Sequence, residues 1–479
     1  MSAKGASSTT ERPASTRLLL IVLSSAVFVS VLNSSMVNVV VPQIGEDFGA
    51  AQAQVGWVIT SFLLSYAISI PLYGRASDLY SVRSLYVFGL AVFAVGSLLS
   101  ALAPNLGFLV AGRIVQAVGG AAIPALGTVA VTKALPAGER GAALGLITSS
   151  VGIGAAVGPV VGGLVEELAS WHYLFLGSMA LAAVLIPLSL RVIPRGDRVE
   201  GASFDVLGGV LLGLAAGLFL FGITQGQVAG FGSFVPLASF AGSLVSGVGF
   251  YGRINHARDP FVSPKLFANR GYVLAMAVGF FAMLGNVASL VMVPLLVTNV
   301  NGLSAGLAGL VLSPGAVALA VLSPMTGRLS DSLGVKLPII AGVAAMLLST
   351  AFLSSYGAGA SPVVVSIGMM GIGVGFAFVS PAAVNAAANA LSHGDPGEIG
   401  AGLGIFQGAF FLGGGVGPAI VGAFLAARQD AGSGALNPLY PLSAPAFSDA
   451  FLAISASLAI SLVGAFFLRN RASSGKNVG

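Results

Sequence analysis

The chain is 479 residues long, 56% hydrophobic and only 8% charged, with a mean hydropathy of +0.96. An ordinary soluble domain carries about 25% charged residues, so this composition excludes a soluble globular surface and calls for a membrane. The net charge of +5 is dispersed rather than gathered into a nucleic-acid face, and the absence of cysteine excludes disulfides, thiolate metal sites and cysteine nucleophiles.

Met1 to Thr16 is polar, rich in small residues and lacks a cleavage pattern ahead of the first apolar run. A disordered cytoplasmic tail is expected there rather than a removed signal peptide. A spanning helix needs about 20 mostly apolar residues to cross about 30 Å of hydrocarbon. Such runs lie near 18–40, 54–73, 84–103, 106–132, 141–165, 172–192 and 205–225. They continue near 232–252, 271–298, 305–326, 337–356, 362–391, 400–427 and 449–468. The reading is an all-α polytopic membrane protein with fourteen spans, twelve being the competing count. The 67 glycines suit helices that pack backbone to backbone in lipid.

Lysine and arginine crowd into the cytoplasmic connections of membrane proteins, and here they alternate. Lys4, Arg12 and Arg17 precede the first run, Arg75 and Arg83 follow the second, and Lys133 and Arg140 follow the fourth. Arg191, Arg195 and Arg198 continue the pattern, then Arg253, Arg258, Lys265 and Arg270, then Arg328 and Lys336, and finally Arg469, Arg471 and Lys476. Only Arg428 falls in a connection on the opposite side, and only Arg113 lies deep in a run. An even number of spans with both termini in the cytoplasm satisfies this distribution.

One phrase is written twice. Gly74, Arg75, Ala76, Ser77, Asp78 with Arg83 follows the second run, and Gly327, Arg328, Leu329, Ser330, Asp331 with Lys336 follows the tenth. A second echo sets Val157, Gly158, Pro159 and Gly162 against Val416, Gly417, Pro418 and Gly422. Duplicated halves mark many secondary transporters, in which two bundles rock about a site near the bilayer midplane.

A few side chains carry chemistry. Asp78 and Arg75 sit at a helix end beside a tight loop, where a carboxylate can receive backbone donors from a neighbouring helix N-terminus and pair with a cation. They read as a latch holding one closed state, the plainer role being a static loop anchor. A guanidinium at mid-span costs about 2.5 to 3.5 kcal/mol even on the lenient insertion scale. Arg113 is therefore expected, with Gln116, to line a wet central cavity and to serve substrate binding or coupling, the alternative being a charge that snorkels to a helix end. Gly158 and Pro159 should bend the fifth span and let it pack closely, as a moving part or as a passive kink. Asn33, Asn38, Trp57, Tyr66, Asn286, Asn385 and Gln407 are candidate substrate contacts, weighed against the commoner use of a lone membrane amide as interhelical glue. Gly371, Gly373 and Gly375 lie in an apolar helix rather than after a soluble strand, so they do not read as a nucleotide fingerprint. His172, His256 and His393 are scattered near connections, and no metal or cofactor site is expected.

Together these residues resemble the major facilitator superfamily, specifically its fourteen-span drug:proton antiporters, over residues 17–470. GRASDLYSVRS at 74–84 looks like the family's cytoplasmic loop motif. Arg113 to Gly119 is similar to its span-four pattern R-x-x-Q-G-x-G, with Ala117 replacing a glycine. Gly154, Gly158, Pro159, Gly162 and Gly163 resemble the span-five exporter pattern, and LNSSMVNVVVP from Leu32 to Pro42 the span-one motif of the fourteen-span branch. The resemblance implies a six-helix bundle over 17–193, two linking spans and their loops over 194–270, a second bundle over 271–470, and cytoplasmic tails at 1–16 and 471–479. It also implies a gating role for Asp78 and Arg83, with Asp331 and Arg328 as the second-half counterparts.

The implied function is export of amphipathic small molecules across a bacterial plasma membrane, by proton antiport and alternating access, from a monomer. Two departures bear on coupling. Many fourteen-span exporters carry an acid in a span-one motif beginning L-D, where this chain has Leu32 and Asn33. The membrane acids of the similar tetracycline exporters fall here on Ser34 and near Gly414. Asp331 is at a cytoplasmic end like Asp78, Asp205 begins span seven, and Glu166 and Glu167 are outside, which leaves Asp78 as the proton-carrier candidate. A cavity short of acids favours neutral, zwitterionic or anionic amphiphiles over dicationic drugs or metal–tetracycline. The alternatives are an exporter of an endogenous lipid or metabolite without proton coupling and, more remotely, an intramembrane enzyme or sensor, for which the sequence offers no nucleophile elbow or paired intramembrane carboxylates.

Overall fold

The computed structural model describes residues 14–195, 204–392, 396–432 and 434–468. Most of both expected tails, with Lys4, Arg12, Arg469, Arg471 and Lys476, as well as Arg198 and His393, lies outside the described residues. Among the described residues, 14 helices are long and apolar enough to cross a bilayer, which decides fourteen spans over twelve. They are α1 (Ala14–Asp47), α2 (Trp57–Leu79), α3 (Val82–Ala101), α4 (Leu106–Ala134), α5 (Ala137–Leu168), α6 (His172–Val192) and α7 (Val206–Ala229). The series continues with α8 (Phe234–His256), α9 (Arg270–Asn299), α10 (Ala305–Ser332), α11 (Lys336–Phe352), α12 (Pro362–Leu391), α13 (Ile399–Ala431) and α14 (Pro445–Phe467). Single helical turns in the connections are left unnumbered.

Several helices overrun the apolar runs that announce them. α1 has 34 residues, about 51 Å at 1.5 Å per residue, so its ends stand beyond about 30 Å of hydrocarbon in the headgroup layer. It begins at Ala14, inside the stretch expected as a tail, and continues to Asp47. Likewise α2 runs on to Leu79 and α10 to Ser332. The repeated phrase therefore occupies the last turns of two helices rather than a loop, and only Tyr80 and Ser81 separate α2 from α3.

Packing repeats with the sequence. α1 lies against α5 and α6, α2 against α4, and α3 against α4 and α6. Adding eight to each number gives the second half: α9 against α13 and α14, α10 against α12, and α11 against α12 and α14. Glycine permits these approaches. A Cβ on Gly342 of α11 would lie 2.5 Å from the Gly375 carbonyl oxygen of α12, and one on Gly375 the same distance from the Gly342 oxygen. The halves meet along two seams, α5 with α10 and α2 with α13, while α7 and α8 pair with each other and α7 reaches both α2 and α13.

The end of the bundle that carries Arg75, Arg83, Lys133, Arg140, Arg328 and Lys336 is the cation-rich end. Arg428, the one cation expected in an opposite-side connection, instead forms the last turn of α13. Its Nε donates to Asp449 Oδ2 at 2.7 Å, and the Leu436 N–H donates to Asp449 Oδ1 at 2.7 Å. The exception to the charge pattern is thus a neutralised pair that ties α13, α14 and their connection together.

Candidate gate and transport path

The repeated phrase builds two reciprocal caps at the cation-rich end. Asp78, in the last turn of α2, points across the seam at the first turn of α13, where the Gly400 and Ala401 N–H groups donate to its two carboxylate oxygens at 2.7 Å each. Asp331, in the last turn of α10, receives the Gly141 and Ala142 N–H groups, the fifth and sixth residues of α5, at 2.8 Å each. A helix N-terminus leaves its first N–H groups unpaired and carries partial positive charge, so Asp78 from the other half completes the start of α13. Each half supplies one acid and a pair of backbone donors near a helix start.

Backbone contact behind each cap requires glycine. A Cβ on Gly74 would stand 2.5 Å from both the Gly400 carbonyl oxygen and Gly404 Cα, and Gly327 and Gly141 oppose each other equally closely in the second seam. Deeper in, the Ser149 hydroxyl donates to the Ala320 carbonyl, and Gln407 Nε2 of α13 donates to Thr128 Oγ1 of α4 at 3.0 Å. Arg140 Nη1 donates to the Ser392 hydroxyl at 2.8 Å, adding a bond between halves at the rim. Farther along, α5 turns Gly154, Gly158 and Gly162 toward α1, and α13 turns Gly413 and Gly417 toward α9, each helix packing within its own half.

The cations nearest the caps are not those expected. Lys133, at the end of α4, lies 3.9 Å from Asp78 and donates to the Ser77 carbonyl at 2.9 Å. Arg75 is buried and Arg83 half-buried, and both leave Nε without a hydrogen-bond partner. Arg328 is exposed, and the cation facing Asp331 is Arg140. Lys133 stands in the last turn of α4 and Arg140 in the first turn of α5, with only Leu135 and Pro136 between the helices, which brings both to the caps.

Arg113 neither lines an open cavity nor snorkels. It is 1% exposed, and Nε donates to the Val58 carbonyl at 3.2 Å. Nη1 donates to Asn33 Oδ1 at 3.0 Å and to Gln116 Oε1 at 2.5 Å, while the guanidinium lies over the Phe62 ring, 4.0 Å from its centroid. Gln116 Nε2 passes the network to Ser97 at 2.7 Å, and Asn33 Nδ2 passes it to Ser178 at 2.9 Å. Neutral acceptors and a ring face therefore hold the charge without a carboxylate.

The candidate contacts separate accordingly. Asn33 and Gln407 are committed to neighbouring helices, and Asn385 donates to Ser330 and Asp331 at 3.2 and 3.3 Å, behind the second cap. These three are placed as interhelical glue rather than on an open path. Trp57 faces α7, its ring 5.9 Å from Phe221. Tyr66 stacks on Phe62 at 5.6 Å and meets Phe411 of the opposite half edge-on at 5.3 Å, from which Phe410, Phe406 and Phe376 continue the aromatic chain. Asn38 is exposed and Asn286 half-buried. In α5, Gly158 faces Ser35 and Leu32 of α1, and Pro159 is accommodated within a continuous helix. Lys133, Arg140, Thr128 and Phe411 had no sequence signal of their own beyond charge, polarity or hydrophobicity, although the repeat could have pointed to the first two turns of α5 and α13, at Gly141 and Gly400. Among the described residues, no group of three or more His, Cys, Asp or Glu side chains is placed to hold a metal ion.

The profile of the Major Facilitator Superfamily matches residues 23–418 and, in a second alignment, 275–478. The chain belongs to this superfamily. Members similar in sequence include the multidrug resistance protein Stp of Mycobacterium tuberculosis, 28% identical over 412 residues, which cover 86% of this chain and 76% of Stp. The riboflavin transporter RibZ of Clostridioides difficile is 28% identical over 369 residues, 76% of this chain and 79% of RibZ. The superfamily fold is shared with the human organic anion transporter MFSD10, with a TM-score of 0.68 at 15% identity over 96% of this chain and 100% of that one. The protein is thus a multi-pass membrane transporter of the superfamily, acting on small molecules.

Proposed function

We propose that the protein exports amphipathic small molecules by alternating access, in antiport with protons, with the cation-rich end and both termini in the cytoplasm. The observation that carries this reading is the reciprocal pair of caps: two acids on opposite halves, each closing on a pair of backbone N–H groups near a helix start of the other half. The conformation described is then closed toward the cytoplasm, and rocking of the halves breaks both seams together. Protonating Asp78 or Asp331 removes the negative charge that accepts two backbone N–H groups across a seam, so proton arrival at the caps is coupled to opening on that side. Arg113 acts by holding α1, α2 and α4 as one unit, and Gly158 by letting α5 slide on α1. Tyr66 and Phe411, meeting across the halves, offer an aromatic floor for a neutral, zwitterionic or anionic amphiphile, and Asn286, half-buried on α9, is a further candidate contact. The similarity to Stp supports drugs as substrates, and that to RibZ supports an endogenous metabolite as the second reading.

The test is uptake of a fluorescent amphipathic drug into inside-out vesicles, with and without an imposed proton gradient, for the native chain and Asp78→Asn. Gradient-driven accumulation that the variant loses supports the proposal. Accumulation indifferent to the gradient removes proton antiport, and none across a varied panel moves the assignment to a narrow endogenous substrate.

A further inference from the structure

An apolar groove of about 540 Å³ runs between α2 and α7 on the outside of the bundle. Leu64, Ile68 and Leu72 of α2 form one wall, and Gly209, Gly213 and Gly217, at successive turns of α7, form the other. The glycines let α2 come close, a Cβ on Gly213 lying 3.0 Å from Ile68 and one on Gly209 3.0 Å from Leu72, and the groove runs along this contact. From Val206 to Phe221, both on the lining, α7 rises roughly 22 Å at 1.5 Å per residue, more than half of about 30 Å of hydrocarbon and so enough to lay one leaflet's acyl chain along it. The lining is apolar along its whole length, and in a bilayer hydrocarbon is what fills such a groove.

The groove has a charged end. Phe204 and Val206 line it at the cation-rich end, and Asp205 between them is held by the Phe261 N–H at 3.2 Å and by Arg253 Nε at 3.2 Å. The Arg253 side chain is 41% exposed, and its fork has five donors, of which Asp205 engages Nε. Arg258, Lys265 and Arg270 follow in the connection beyond. A cation at the headgroup level over a purely apolar slot complements an anionic phospholipid, and juxtamembrane cations attract such headgroups.

We propose that this groove is a binding site for one anionic phospholipid, its acyl chain between α2 and α7 and its phosphate at Arg253. The site lies where α7 leans on α2, beside the α2–α13 seam, and its occupancy does not depend on which substrate is transported.

The test uses purified full-length protein, delipidated in mild detergent and offered dioleoyl phosphatidylglycerol or dioleoyl phosphatidylcholine, with retained lipid read by native mass spectrometry. The native chain should keep one phosphatidylglycerol through detergent washing in at least about tenfold excess over phosphatidylcholine. Gly213→Leu should lose retention of both, and Leu214→Trp, which fills the groove from its exposed rim without entering the helix contact, should do the same if the first variant folds poorly. Arg253→Gln should retain lipid but lose the headgroup preference. Equal retention of the two lipids by the native chain, or undiminished retention in folded Leu214→Trp protein, overturns the proposal.

Discussion

Replacing Asp331 by asparagine keeps the size of the side chain but leaves one acceptor where two backbone N–H groups now donate at 2.8 Å. A hydrogen bond to a charged group contributes about 1.5 to 3 kcal/mol. The closed cation-rich end therefore loses about 1.5 to 3 kcal/mol, which at about 1.4 kcal/mol per tenfold raises the open population roughly 10- to 150-fold. The chain contains no cysteine, so a single Ser323→Cys reports the seam cleanly, Ser323 being fully buried against Gly145. Labelling by a membrane-impermeant maleimide applied to the cation-rich side should be slow in this background and at least about tenfold faster once Asp331→Asn or Asp78→Asn is added. Unchanged rates in both double variants would refute the account of the caps.

Further outcomes follow from the same geometry. Gly404→Val places carbon against Gly74 and Pro71 and should abolish transport while leaving the Ser323→Cys site labelled from the cation-rich side; a transport-competent variant would show that close approach is not needed. Arg113→Ala strands the Val58, Asn33 and Gln116 acceptors, each worth about 1 to 3 kcal/mol when buried unpaired, and should lower the melting temperature by several degrees in detergent. Arg113→Lys should restore little of it, since an ammonium cannot reproduce the planar fork over Phe62. Arg428→Ala leaves Asp449 buried and uncompensated, for about 3 to 5 kcal/mol, and a second change, Asp449→Ala, should recover part of that loss by thermal melting; an additive double variant would show that the two are not coupled.

Much of the fold was legible because a bilayer imposes it. Apolar runs and alternating cations gave fourteen spans, and the double phrase gave two halves whose packing repeats helix by helix. The site was legible only where the repeat wrote it, at Asp78 and Asp331. Helices that are apolar nearly all round carry no stripe to say which face meets which neighbour, so the partners of those acids, 322 and 190 residues away in sequence, could not be read. The same uniformity hid Phe411 opposite Tyr66 and Thr128 opposite Gln407. Arg113 was singled out correctly as a cation that needs partners, but its partners are amides and a ring inside one bundle, and hydropathy does not distinguish a packed interior from a wet cavity. Asp449 went unnoticed because it stands at the start of a run, where an acid looks exposed, and only the fold brings Arg428 to it.

Alternating access through these seams is tested most directly by locking one of them. The Ser149 hydroxyl reaches the Ala320 carbonyl across the α5–α10 seam with no glycine displaced, and the cysteine-free chain allows a Ser149→Cys, Ala320→Cys pair to be oxidised alone. Drug flux in proteoliposomes should stop on oxidation and return on reduction with dithiothreitol. Equal flux in the oxidised and reduced protein, with the disulfide verified, would contradict transport by parting of the two halves at the cation-rich end.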